Sequence, residues 1–138
     1  MTVHLNIKFI EKLSTDTKEN KISWESLLAL KDITEEKNYH LFYTLFENEW
    51  HSVNYSESFF ASVDEGSIYL INESFESGKD GTITSGFNLY IQKNSSSQLI
   101  KINASRRVLY SLVNTINESV IESEKESFIK SYLGLDVQ

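Results

Sequence analysis

The chain reads as α+β: an antiparallel meander sheet of about five to six strands, one helix in the N-terminal half, and two C-terminal helices packed on one face. Three observations predict this. Apolar residues alternate with polar ones over residues 68–91, broken by a glycine-bearing turn. Two further turn-like clusters flank that stretch. The last third of the chain then changes to helical spacing, and helices segregated from a run of strands belong to the α+β class.

The first expected element is a strand, because Val3, Leu5, Ile7 and Phe9 alternate with polar residues. Ser14–Lys21 is a polar connection. Ser23 is placed to cap a helix carrying Trp24, Leu27, Leu28 and Leu30 toward Asp32. Tyr39–Phe46, aromatic-rich and apolar on both faces, suits a strand in the middle of a sheet, with His51–Tyr55 as its hairpin partner. Ser58–Val63 fits either an extended segment or one helical turn.

The meander proper follows. Ile68, Leu70 and Asn72 share one face of a strand, and Tyr69, Ile71 and Glu73 share the other. A second long strand places Ile83, Ser85, Phe87, Leu89 and Ile91 opposite Thr82, Thr84, Asn88 and Tyr90. In this register Tyr69 pairs with Tyr90 on the outer face. Asn94–Ser97 turns the chain into a last strand over Leu99–Ile102. Ser105 then caps a helix bearing Val108, Leu109, Leu112, Val113 and Ile116. Ser123-Glu124-Lys125-Glu126 has the form of a capping box, which predicts a second helix ending at Gly134.

The turn between the two long strands, Gly78-Lys79-Asp80-Gly81, superficially has the form of a phosphate loop. A Walker loop needs a glycine where Glu73 stands and Ser or Thr where Asp80 stands. An RNA-clamping Gly-x-x-Gly loop lies between helices, whereas strand periodicity follows this one. The reading is a hairpin turn, with Gly78 and Gly81 both supplying positive φ.

At 138 residues with 40% apolar content the chain is one domain, residues 1–138, able to form a packed core. It has no cysteine, which excludes disulfides, thiolate metal sites and thiol catalysis. No apolar run is long enough for a membrane span, and the N-terminus lacks the apolar core of a secretory signal, so a cytoplasmic protein is expected. Absent proline and abundant Ile, Asn and Lys suit an AT-rich bacterial or phage genome. His4, His40 and His51 have no metal-site spacing. No serine sits in a nucleophile elbow, and no carboxylate pair is placed for acid–base work, so neither an enzyme nor a cofactor is expected.

Net charge is −7, which opposes binding to nucleic acid or anionic membranes. The charge is also segregated. Between Lys37 and Lys79 there is no cation, while Glu47, Glu49, Glu57, Asp64, Glu65, Glu73 and Glu76 fall there. Five cations then follow from Lys79 to Arg107, against Asp80. The expected partner is a basic protein, steered by the acidic stretch and anchored on exposed Tyr69 and Tyr90. The expected function is an immunity- or antitoxin-like inhibitor that occludes a toxin such as a nuclease. The alternative is a secretion-type chaperone or other dimeric adaptor, and behind it an enzyme whose active site the sequence does not display.

Overall fold

The computed structural model describes residues 2–28, 51–96 and 98–135. In chain order these form α1 (Thr2–Lys18), β1 (Glu25–Ser26), β2 (His51–Val53), a single 3-10 turn (Tyr55–Glu57), β3 (Phe59–Val63), β4 (Gly66–Glu76), β5 (Ile83–Lys93), β6 (Ile100–Ile102) and α2 (Arg106–Tyr132). All six strands join one antiparallel sheet, in the order β1-β3-β4-β5-β6. β2 pairs with β4 beyond the end of β3. The α+β class and the sheet are as expected, but the whole helices among the described residues are two, not three; Leu27 and Leu28, within the helix expected after Ser23, are also helical.

β4 is the axis of the sheet. Along one edge it pairs with β5 over its whole length, from Gly66↔Lys93 to Glu76↔Ile83, with Tyr69 opposite Tyr90 as the alternation predicts. Along the other edge it meets β3 from Gly66 to Leu70 and β2 from Glu73 to Phe75. Ser58, fully buried, bridges the join. Its hydroxyl donates to the Asn54 carbonyl at 2.7 Å and accepts from the Asn72 N–H at 2.8 Å. Its carbonyl accepts from the Leu27 N–H at 2.8 Å, which ties β1 to the same point. A buried serine here supplies the backbone partner that neither short strand provides.

Alternation along β4 feeds two cores. Ile68 and Leu70 pack with Leu89, Phe59 and Ala61 beneath α1 and α2, through Ile10, Leu13, Leu109, Leu112, Val113 and Ile116. Tyr69 and Ile71 form a second cluster with Leu27 and Tyr55, flanked by Val53, Phe60, Tyr90 and Leu99. Ile68, Tyr69, Leu70 and Ile71 are each at most 4% exposed. The second face is therefore covered rather than solvated.

Residues 2–18 are helical, not a strand. Phe9, Ile10, Leu13 and Thr17 recur at helical spacing and face the core, while the alternating Leu5 and Ile7 point outward. Asn20, at φ 60°, stops the helix: Lys21 N–H donates to the Asp16 carbonyl and Asn20 N–H to the Thr17 carbonyl. The buried Thr17 hydroxyl donates to the Leu13 carbonyl at 2.7 Å and accepts from the Trp24 indole N–H at 2.9 Å. That pairing anchors the connection after α1. Ser23 caps no helix, since the chain runs extended through Glu25–Ser26. Tyr39–Phe46 lies outside the described residues, as does most of the helix expected after Ser23.

Ser105 caps α2 as expected, its hydroxyl accepting from the Val108 N–H at 3.3 Å. The second capping box does not act: α2 runs unbroken for 27 residues through Ser123 to Tyr132, with Leu133 as its C-cap and Gly134 just beyond at φ 77°. The hairpin loop is a turn, closed by Ser77 N–H to the Thr82 carbonyl at 2.8 Å and Gly81 N–H to the Ser77 carbonyl at 3.0 Å. Only Gly81 takes positive φ there, so Gly78 is not needed for its conformation.

Two expectations follow. A Cβ at Gly66, where φ is +156°, would lie 2.1 Å from the Gln92 carbonyl oxygen. Gly66→Ala should therefore lower unfolding free energy by about 2–4 kcal/mol in urea melts, and Gly78→Ala, with nothing within 4 Å, should leave it nearly unchanged. Ser105→Ala should cost about 1 kcal/mol, whereas Ser123→Ala should cost nothing measurable, because only Ser105 caps a helix.

Candidate functional site

The expected partner-binding residues do not form one patch. Asp64 and Glu65 occupy the two-residue turn between β3 and β4, exposed, with the Asp64 carbonyl accepting from the Asn94 side chain and the Glu65 carbonyl from the Asn94 N–H. Glu76 stands exposed at the far end of β4, which places it roughly 33 Å away at about 3.3 Å per residue. Glu57 lies between them on the 3-10 turn, held by the Asn54 side-chain amide at 3.0 Å. Glu47 and Glu49 are outside the described residues.

Glu73, Tyr69 and Tyr90 serve a different purpose. Glu73 is 1% exposed on the second face of β4, and its Oε2 accepts two short bonds, from Asn88 Nδ2 and from the Tyr90 hydroxyl, both at 2.6 Å. Asn88 is the diagonal cross-strand neighbour, and the length of a tyrosine lets Tyr90 reach the same oxygen from farther along β5. Tyr69, also 1% exposed, donates to Gln92 Oε1 at 2.9 Å, and the Gln92 amide donates to the Ser96 carbonyl. Tyr69 is thus buried rather than an exposed anchor, and Tyr90, half-buried opposite it, donates its hydroxyl to Glu73. Burial pushes the Tyr90 phenol well above its ordinary range, and the hydrogen bond to Glu73 and its charge push the same way. Burial likewise raises Tyr69, against a smaller opposite effect from Ser67.

The surface that the sequence reading missed belongs to α2. α1 and α2 run side by side in one direction, with the Asn6 amide on the Asn103 carbonyl near their starts. α1 stops at Lys18, while α2 continues to Tyr132. Beyond Val120, the residues from Ile121 through Ile129 are all exposed. The core line through Leu112 and Ile116 passes into Ser119, Ser123 and Ser127, which line an open wedge of about 970 Å³ against Thr17, Asn20 and Trp24. The apolar residues turn away from that line, Phe128 and Tyr132 entirely and Ile121 while still lining the wedge. Ile121, Phe128 and Tyr132 lie roughly 140° around the helix from Ile116, at about 100° per residue. They are 61%, 73% and 84% exposed. A sequence signal existed: Ile121, Phe128 and Tyr132 share a helical face only if the helix is continuous through Ser123.

Among the described residues, no group of three His, Asp or Glu side chains is placed to hold a metal ion. Nor, among them, is any helix long and apolar enough to cross a membrane. No protein-family model, curated protein or solved structure matches the chain.

The Tyr90–Glu73 hydrogen bond gives a pH expectation. A phenol whose folded-state pKa lies above its unfolded value of 10.0 contributes stability that is fully present below pH 10 and lost as pH rises through the folded value. Tyr90→Phe should cost about 1–3 kcal/mol at neutral pH. Thermal melts should also show a shallower loss of stability above pH 10 in the variant than in the wild type.

Proposed function

We propose that the chain is a small acidic binding protein of the cytoplasm that neutralises a basic protein by occlusion, in the manner of an immunity protein or antitoxin acting on a toxin domain such as a nuclease. One observation carries this reading: Glu57, Asp64, Glu65 and Glu76 are exposed and take part in no ion pair among the described residues. On the helices, by contrast, Asp16, Glu122 and Glu126 each meet a lysine three or four positions away. These carboxylates, on the turns and at the end of β4, keep their field for an outside cation. Their spread along β4 suits a broad basic surface better than a single basic side chain. Exposed charge of this kind acts chiefly on encounter rate and on partner choice.

The test has two steps. Affinity capture on the immobilised chain, from cells that express it, should retain a basic protein that elutes as salt is raised. The variant Glu57→Lys/Asp64→Lys/Glu65→Lys/Glu76→Lys should then bind that protein with an association rate at least about tenfold lower at low salt, and with a flatter salt dependence. Equal rates for the two proteins at low salt would remove the acidic surface from the account.

A further inference from the structure

The C-terminal half of α2 runs on beyond the end of α1. It continues a helix already held by its packed first half, and it carries Ile121, Phe128, Ile129, Tyr132 and Leu133, from 45% to 84% exposed, on one broad face. Its opposite face is polar, with Ser119, Ser123 and Ser127 beside Glu126 and Lys130. The exposed area of these five apolar residues is roughly 700 Å² per copy, an upper bound on what pairing buries there and of the order of the ~800 Å² per partner of a stable protein–protein interface.

We infer that this face is a homodimer interface, in which the C-terminal halves of two α2 helices pair antiparallel. The register follows from the sequence of the stripe. Ile121, Lys125, Phe128 and Tyr132 alternate at spacings of four, three and four, the seam of a two-stranded coiled coil. Parallel pairing would set Lys125 against its own copy inside the seam, where like charges repel. Antiparallel pairing about a point between Glu126 and Ser127 sets Ile121 beside Tyr132 of the second copy and, in the same register, Lys125 beside Phe128. The lysine then lies against an aromatic ring of the partner instead of against a cation, a favourable contact where water is partly excluded. Both layers are self-complementary, as a two-fold interface requires. Glu57, Asp64, Glu65 and Glu76 lie outside this face, so dimerisation and capture of a basic protein are separable.

Because the native chain has no cysteine, the register is directly testable. Sedimentation equilibrium of the full chain should give twice the chain mass at tens of micromolar. Phe128→Glu should raise the dimer dissociation constant at least about a hundredfold. In a mixture of Ile121→Cys and Tyr132→Cys chains, mild oxidation should yield mainly the mixed disulfide, since only unlike positions come within the 4.4–6.8 Å Cα separation that a disulfide spans. A monomer mass for the wild type at every concentration would overturn the inference and leave the stripe to a different protein. Like-with-like disulfides alone would overturn the antiparallel register. The cross-linking result does not depend on the fold of the Phe128→Glu variant.

Discussion

Everything else in the described structure is arranged around the burial of β4 on both faces. Four consecutive residues, Ile68-Tyr69-Leu70-Ile71, are almost wholly withdrawn from water. An antiparallel sheet can leave one face wet, and this one does not at its centre. The helices cover Ile68 and Leu70, while Leu27, Tyr55 and their neighbours cover Tyr69 and Ile71. Each side chain of that size contributes about 1.5–3 kcal/mol on burial, so this one tetrapeptide outweighs any surface contact in the fold. Double burial also sets the chemistry of the second face. A carboxylate there needs donors, and Glu73 has them in Asn88 and Tyr90.

α2 divides its work between two sides. Its first half presents Leu109, Leu112, Val113 and Ile116 to the sheet, packed beside α1. Once α1 ends there is nothing within the described fold to cover that line, and the sequence responds by making it serine. The apolar residues then turn away from it. This change of apolar face in mid-course is what leaves Ile121, Phe128 and Tyr132 exposed, and it is the observation from which helix pairing is inferred.

The meander was legible because its evidence is local. Period-two alternation, a glycine turn and cross-strand length together set the register, down to Tyr69 opposite Tyr90. Alternation misled at the N-terminus, where Leu5 and Ile7 mimic a strand while Phe9, Ile10, Leu13 and Thr17 carry the true period; the turn-forming Asn20 was the overlooked stop signal. Ser123 and Glu126 compose a capping box in form, but a box acts only where the chain leaves helical geometry, and no glycine or proline before it makes the chain do so. The acidic run failed to become a patch for a simpler reason. Extended chain advances about 3.3 Å per residue, so Glu65 and Glu76, eleven residues apart, stand at opposite ends of β4, and alternation sends Glu73 inward. Exposure of the Tyr69–Tyr90 face could not be read from one strand pair, since what covers a sheet comes from elsewhere in the chain.

Amide hydrogen exchange on the native protein tests the two-sided burial of β4 most directly. If β4 is the element on which both cores close, the amides of Ile68 through Ile71 and their β5 partners exchange only through global unfolding, with a free energy equal to that from denaturant melts. Exchange of these amides by local opening, at a free energy well below the global value, would contradict it.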